Sequence, residues 1–205
     1  MSDTVLSDAM ERGDAARVGI VLRELIERFQ QSISSIEECE RPVIGVPHGH
    51  CIGLAIDILA AADIRYAVKD ASFSIREAAV GLAADIGTLQ RFPKIVGNDS
   101  WVRELAYTAR FFPATEAYQM GFVSKVLDTK EIAMKSAIAT ASAIAQVSPV
   151  AVNGTKQSLV YSRDHSVGEG LQFMQYLNAA ALQTEDLGVA MQAAMTKSKP
   201  KFSKL

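Results

Sequence analysis

The sequence predicts an α/β fold with a helical C-terminal part, and two observations carry this prediction. Between residues 43 and 75, short apolar runs alternate with a helical stretch, which is typical of strands joined by helical connections. From Thr88 onward, helical patterns dominate. The chain has 205 residues, of which 49% are hydrophobic and 21% are charged, so it is long enough for one sizeable core.

The N-terminal part is predicted to contain one long helix. Residues 1–13 are polar, and we expect them to be unstructured. Residues 15–38 place apolar side chains three and four positions apart, which is the spacing of an amphipathic helix. Arg41-Pro42 follows, and the proline should prevent the helix from continuing.

Short apolar runs mark the predicted strands, which lie at 43–46, 64–68, 72–75 and 123–127. Segment 47–53 is rich in Gly and His and is predicted to be a loop, followed by a helix over 54–62. Further helices are predicted over 98–109, 114–119, 130–147, 149–161 and 166–193, two of them after good start signals in Asn98-Asp99-Ser100 and Ser148-Pro149. No repeat or linker interrupts this order, so we expect one domain.

Asp57 is the only charged residue in the run CIGLAIDILAAA. A helix that is apolar all round is predicted to be buried. A buried carboxylate must accept hydrogen bonds or take up a proton, because burial of an unpaired charge is costly.

Two more acids follow in the same apolar stretch. Glu77 begins EAAVGLAADIG and Asp85 lies near its end, with no Lys or Arg between Arg76 and Arg91 to neutralise them locally. Carboxyl groups that share a dry pocket can hold different protonation states at neutral pH, as acid–base chemistry requires.

These segments resemble a known family. From about residue 14 to the end, the chain resembles the crotonase (enoyl-CoA hydratase/isomerase) superfamily. The resemblance is carried by the strings RPVIGVPHGHCIG, DILAAADIRYA, VGLAADIGTLQRFPKIVGN, ELAYTAR, SPVAV and YSRDHSV. Within it they resemble the dienoyl-CoA isomerases, since general hydratases usually carry another residue at the position of Asp85. The resemblance implies a crotonase-like ββα spiral core over 14–196 and a helical C-terminal trimerisation region.

The resemblance also implies a reaction, the conversion of 3,5-dienoyl-CoA to 2,4-dienoyl-CoA in fatty acid β-oxidation. The three acids of the dienoyl-CoA isomerases match Asp57, Glu77 and Asp85. Asp85 would take a proton from C2 and Glu77 would return one at C6, while Asp57 either takes part or shapes the pocket. The N–H of Leu54, in the turn after Gly53, would be an oxyanion donor. No cofactor is expected, because CoA is part of the substrate.

Other residues suggest different chemistry. His48, His50 and Cys51 could form a metal site or a nucleophile with its base. A metal site needs three or four converging ligands and a nucleophile needs a base held in place, so we favour a tight loop and no metal. His165 could be catalytic, but a helix–helix turn with Ser166 as N-cap is the better interpretation.

Composition restricts the partners and the compartment. A net charge of −2 gives no sign of a nucleic-acid partner, and no apolar run reaches the roughly 20 residues of a membrane span. Segment 197–205 ends in Ser203-Lys204-Leu205, the tripeptide read as a peroxisomal address, so we expect an import receptor as partner and the peroxisomal matrix as location. The lysines of this tail are expected to be solvated.

The resemblance lacks its N-terminal part. Crotonase domains usually begin well upstream of a segment like 43–53, with strands and a loop that supplies a second oxyanion N–H and much of the CoA surface. We therefore expect an incomplete core, a marginal fold and weak catalysis. Two alternatives stay open: a non-catalytic chain that only assembles with full-length subunits, and an enoyl-CoA hydratase or Δ3-Δ2 isomerase.

The C-terminal helices are expected to mediate assembly. Crotonases form trimers, often paired as hexamers, and the resemblance assigns the contact to this region. Apolar residues there could supply either a buried face between subunits or an internal core; they are Leu171, Phe173, Met174, Leu177 and Leu182.

Overall fold

The computed structural model describes residues 7, 11 and 14–205. Ser7 and Glu11 are helical, so the prediction of an unstructured segment 1–13 is wrong at these two positions. The run AMER at residues 9–12, which includes Glu11, consists of strong helix formers, which the prediction did not weigh. The rest of that prediction lies outside the described residues.

The first long helix has the predicted bounds. Helix α1 spans Ala15–Glu38, and the Asp14 carboxylate caps it by accepting hydrogen bonds from the N–H groups of Ala16 and Arg17. Its buried residues are Ile33 and Glu37, near the C-terminal end. This end of α1 therefore packs on the molecule, and the charge of Glu37 is buried with it.

In the part of the chain that the structure describes, six strands form two small sheets: β1 Ile44–Gly45, β2 His50–Ile52, β3 Ile64–Val68, β4 Ser72–Ser74, β5 Phe112–Pro113 and β6 Lys125–Leu127. The first sheet is parallel, in the order β1-β3-β6, and pairs Ile44 with Ile64. The second has the order β2-β4-β5, with β2 parallel and β5 antiparallel to β4. The α/β prediction is confirmed, with shorter strands than expected.

Strands β2 and β5 correct the prediction. Segment 47–53 was expected to be a loop, but its last part pairs with β4, so that Cys51 lies opposite Phe73. β5 was not predicted at all. Strands of two or three residues are too short to show alternation in the sequence, and both exist because the edges of β4 offer them backbone partners.

The helices after the first strands are α2 Leu54–Ala61, α3 Thr88–Val96, α4 Asp99–Thr108, α5 Ala114–Gln119, α6 Lys130–Ile144, α7 Pro149–Ser162, α8 Val167–Ala181 and α9 Asp186–Thr196, with a short 3-10 helix at Glu77–Val80. The predicted helices before residue 163 are confirmed within a few residues. The prediction of one helix over 166–193 is wrong, because the chain breaks between α8 and α9. There the Thr184 hydroxyl accepts a hydrogen bond from the N–H of Asp186, which starts a new helix.

An aromatic cluster forms the core under the second sheet. Its rings come from β4, α3, α4, β5 and the turn after α5: Phe73, Phe92, Trp101, Phe112 and Phe122. The centroids of Phe92 and Phe122 lie 4.5 Å apart, and those of Phe73 and Phe112 lie 5.3 Å apart. Tight aromatic packing of this kind stabilises a fold beyond the area it buries, and here it fixes α3 against the sheet.

Helix α2 is buried on most of its surface. Ile56, Leu59, Ala60 and Ala61 are buried, and it packs between α1 and α3. The prediction of burial all round is wrong at Leu54 and Ile58, whose exposed fractions are 44% and 41%. Because α1 and α3 cover only part of the helix, the side that carries these two residues stays open. Among the described residues, no helix has the length and hydropathy to cross a membrane.

Candidate active site

The N-terminal turn of α2 is formed by Gly53. Its φ is 56° and its ψ −118°, which only glycine adopts readily, and its N–H donates a 3.0 Å hydrogen bond to the carbonyl of Ser74. Gly53 has no side chain to cap the helix, so the N–H of Leu54 receives no cap from it. The N-terminal end of a helix attracts negative charge, and this turn can therefore hold an oxyanion.

The carboxyl group of Glu77 lies directly against this turn. A methyl group placed on Gly53 would come within 2.8 Å of Glu77 Oε1, so the glycine makes the close approach possible. The other oxygen, Oε2, is buried and has no hydrogen-bond partner among the described residues. Burial raises the pKa of Glu77, and the negative charges of Asp57 and Asp85 raise it further. The protonated form is favoured as a result.

Asp57 lies one turn into α2 and is almost completely buried, with an exposed fraction of 2%. Its Oδ1 accepts hydrogen bonds from the N–H of Thr88, at 2.6 Å, and from the Thr88 hydroxyl, at 2.7 Å. Burial raises the pKa of Asp57, while these bonds and the nearby charge of Arg91 act in the opposite direction. Asp57 therefore joins α2 to the first turn of α3.

Asp85 is half-buried in the irregular segment between the 3-10 helix and α3. Two glycines with positive φ bound this segment, Gly81 at 91° and Gly87 at 135°. The backbone carbonyl of Asp85 accepts a 2.6 Å hydrogen bond from Gln30 Nε2 of α1. The negative charges of Asp57 and Asp85 both raise the pKa of Glu77, so the three predicted acids interact electrostatically.

An apolar cavity of about 330 Å³ opens beside Glu77. Small and apolar side chains form most of its wall: Ile75, Ala78, Leu82, Ala83, Ala84, Leu89, Pro93, Val102 and Ala106. Asp99, Arg103 and Tyr107 contribute the polar part. The cavity can take an apolar chain whose reactive end lies at Glu77.

Sequence reasoning missed Thr88 and Gln30. Thr88 is the first residue of α3 and directly follows Gly87. A hydroxyl residue at the start of a helix is a recognisable sequence signal, so the position could have been noted from the sequence. No signal could have found Gln30, which lies 55 residues from its partner in the sequence. Its role depends on how α1 docks.

The alternative at His48, His50 and Cys51 finds no support in the geometry. The Cys51 side chain is buried, and burial raises the pKa of its thiol, which disfavours the thiolate a nucleophile needs. His50 is exposed and lies edge-on to Phe111, with centroids 6.4 Å apart. Among the described residues, no three His, Cys, Asp or Glu side chains are grouped to hold a metal.

The segment around His165 is a helix–helix turn, as predicted. Ser166 caps α8 and forms a capping box with Glu169. The His165 ring stacks on Tyr161 with centroids 3.6 Å apart, and its Nδ1 lies 2.7 Å from the Tyr161 carbonyl oxygen. This histidine is engaged in the turn.

The C-terminal tail is exposed at its lysines, as predicted. Phe202 is half-buried, and the tail forms one wall of a groove beside Arg41 and β1. Arg41 Nη2 lies 3.4 Å from the carbonyl oxygen of Leu205, while Ser203, Lys204 and Leu205 are themselves exposed.

A carboxylic acid whose pKa is raised, placed against the open turn of a helix with further acids and an apolar cavity beside it, is suited to acid–base chemistry next to a carbonyl oxygen. The chain belongs to the enoyl-CoA hydratase/isomerase family, which matches residues 6–204. The predicted family and its crotonase-type fold are thereby confirmed.

The similar proteins include dienoyl-CoA isomerases. A relative from Rattus norvegicus named "Delta(3,5)-Delta(2,4)-dienoyl-CoA isomerase, mitochondrial" is 50% identical over 195 residues, which cover 94% of this chain and 60% of the relative. The chain thus spans about 60% of the length of the first such relatives. A relative from Arabidopsis thaliana is named "Delta(3,5)-Delta(2,4)-dienoyl-CoA isomerase, peroxisomal". It is 43% identical over 202 residues, which cover 98% of this chain and 72% of the relative.

Solved structures agree on the fold. An enoyl-CoA hydratase/isomerase from Cupriavidus metallidurans CH34 superposes with a TM-score of 0.83 at 28% identity, over 96% of this chain and 72% of the other.

Proposed function

We propose that the chain isomerises unsaturated fatty acyl-CoA thioesters, converting a 3,5-dienoyl-CoA to a 2,4-dienoyl-CoA. One observation carries this proposal: the carboxyl group of Glu77, whose pKa burial raises, places Oε1 against the α2 turn and buries Oε2 without a hydrogen-bond partner among the described residues. Two acids in different protonation states are what moving a proton along a diene requires. The names of the relatives support the same activity.

In this mechanism Asp85, as the carboxylate, removes a proton from C2 of the substrate. The electron pair moves toward the thioester oxygen, and the N–H of Leu54 stabilises the resulting enolate. Protonated Glu77 then donates its proton at C6, and the double bonds shift to positions 2 and 4. Asp85 ends protonated and Glu77 ends ionised, so exchange with solvent must reset both before the next turnover.

Asp57 acts as a positioning residue in this proposal. Its Oδ1 accepts both hydrogen bonds from Thr88, so we assign Asp57 to holding α2 and α3 together. Its charge also raises the pKa of Glu77, which favours the neutral form of that acid. The cavity beside Glu77 takes the part of the acyl chain beyond C6.

The test compares Asp85→Asn and Glu77→Gln with two exposed acids outside the site, Asp128→Asn and Glu24→Gln. We expect each site variant to lose about 10²- to 10⁴-fold in turnover, because each removes one proton-transfer step. The measurement is the appearance of the conjugated 2,4-dienoyl product by absorbance. Near-normal turnover in either site variant would contradict the assignment.

Assays of the same purified chain distinguish two other functions. An enoyl-CoA hydratase would add water to a 2-enoyl-CoA, and Asp85 argues against it because hydration needs no proton transfer along a diene. A non-catalytic chain would fail to turn over any of these thioesters. Calorimetry with acyl-CoA would then show whether it still binds a ligand.

We further propose import into peroxisomes through Ser203-Lys204-Leu205, which are exposed at the C-terminal end. The name of the plant relative supports this compartment, whereas that of the rat relative is mitochondrial.

Assembly as a trimer or hexamer is also proposed. Leu171 and Leu182 are exposed and available for a contact between subunits. Phe173 stacks on Tyr161 of α7, with centroids 4.2 Å apart, and Leu177 approaches Gly154, so these two belong to the internal packing of α7 and α8. Light scattering that finds only monomer would contradict an oligomer.

A further inference from the structure

The segment that carries Asp85 has few backbone hydrogen bonds. Among the described residues, the backbone groups of residues 83–86 make one hydrogen bond, from Gln30 Nε2 to the Asp85 carbonyl at 2.6 Å. Gly81 and Gly87 bound the segment and are hydrogen-bonded to the 3-10 helix and to the first turn of α3, and Ala84 is buried in the core. Between these anchors, Gln30 of α1 supplies the hydrogen bond that holds the backbone carbonyl of Asp85.

The same face of α1 holds the helix that follows this segment. Ser34 and Glu37 lie four and seven positions after Gln30, on one side of the helix. The Glu37 carboxylate accepts a 2.8 Å hydrogen bond from Arg91 Nε, and the Ser34 hydroxyl accepts one of 2.9 Å from Arg91 Nη2. Glu37 is buried, with an exposed fraction of 8%, and Arg163 also donates to it.

Arg91 also lies on the turn that ends the segment. A methyl group placed on Gly87 would come within 2.0 Å of Arg91 Nη1, so the guanidinium rests directly on the Gly87 backbone. Helix α1 therefore contacts the segment at two places. Gln30 binds the carbonyl of Asp85 within the segment, and Ser34 and Glu37 bind Arg91 just after its end. Both contacts come from outside the acid cluster.

We infer that Gln30 is a positioning residue for the isomerase reaction, because its side-chain amide fixes the carbonyl of Asp85 and thereby the place of the catalytic base. This inference rests on the proposed function. Gln30 does not touch the substrate in this arrangement; it acts through Asp85. A displacement of about 1 Å in a reacting group can lower a rate by about 10²-fold, so one hydrogen bond at this point has a large effect.

The first experiment is kinetic. Gln30→Leu removes the donor at nearly constant size, Gln30→Lys restores a donor, and Gln31→Leu makes the same change at the next position, which is exposed like Gln30. We expect kcat to fall about 10- to 100-fold in Gln30→Leu with little change in KM, because a base is misplaced while binding is kept. Gln30→Lys should recover part of kcat, and Gln31→Leu should match the unchanged chain.

The second experiment does not need activity. The N–H of Thr88 is protected by its bond to Asp57, and a loosened segment should open it. We expect amide hydrogen exchange at Thr88 to rise about tenfold in Gln30→Leu relative to Gln31→Leu, with both variants melting at similar temperatures.

The outcomes separate the two proposals. If the unchanged chain does not isomerise the diene, the proposed function fails and the exchange experiment still decides whether Gln30 holds the segment. If the unchanged chain is active and Gln30→Leu has the same kcat, the inference is overturned. Equal exchange at Thr88 in the two leucine variants overturns it as well, whatever the activity.

Discussion

At the scale of single residues, Gly53 combines two requirements: a positive φ and room for a carboxyl group. Gly49 is the useful comparison, because it meets only the first requirement. Its φ is 58°, and nothing lies within 4 Å of a methyl group placed there. The two glycines therefore separate backbone strain from displacement of Glu77.

We expect Gly53→Ala to lower turnover by about 10²-fold, because its methyl group would push Glu77 Oε1 away from the α2 turn. Gly49→Ala should share the loss of stability that a side chain causes at positive φ and keep its activity. Turnover and thermal melting of both variants make the comparison. Equal activity losses in the two would show that strain, and not Glu77, is responsible.

Glu77 makes the stability of the chain depend on pH. Its pKa is raised by burial, so the folded chain binds more protons than the unfolded chain once the pH exceeds the unfolded value of about 4.3. Its contribution to stability is therefore greatest below that value and decreases as pH rises through the folded pKa.

Glu77→Gln cannot ionise, so its melting temperature should rise relative to the unchanged chain as pH increases from about 4 to 7. Glu24→Gln, at an exposed position on α1, is the matched control. Melting curves across this pH interval test the expectation. A Glu77→Gln difference that shrinks with increasing pH would have the wrong sign.

At the scale of elements, Thr88 joins α3 to α2 through Asp57. Thr88→Val keeps the shape of the side chain and removes one of the two hydrogen bonds to a buried carboxylate. We expect a loss of about 1 to 3 kcal/mol in the free energy of unfolding. Thr155→Val, on the exposed side of α7, should stay within about 0.5 kcal/mol in the same denaturant titration. Equal values for both would contradict the role of the bond.

The elements also show how far sequence reasoning reaches. α1 was predicted with its bounds because its apolar spacing is regular and Arg41-Pro42 follows it. β2 and β5 form because they pair with β4, and the break before α9 comes from a hydrogen bond between a side chain and the backbone. None of these features produces a hydrophobic periodicity that could be recognised in the sequence.

The same limit applies to the site. Asp57, Glu77 and Asp85 could be selected because acids among apolar residues are unusual, and the family resemblance joined them. The contacts that hold them, from Thr88 and Gln30, depend on how helices meet in space.

At the scale of the whole molecule, the C-terminal end carries a prediction about location. A fluorescent reporter fused to residues 194–205 should enter peroxisomes, because the tripeptide is exposed and is read by a receptor. The same fusion without Ser203-Lys204-Leu205 should stay in the cytosol. A diffuse signal from the intact fusion would refute the address.

The burial of Glu77 Oε2 also has a consequence for the heat of ligand binding. A thioester that fills the cavity removes the remaining water from this carboxyl group, which favours its neutral form further. Binding should therefore draw protons from the buffer wherever Glu77 is partly ionised, and calorimetry in two buffers of different ionisation enthalpy should give different heats. In Glu77→Gln the two heats should coincide, because the amide takes up no proton from the buffer when the ligand binds.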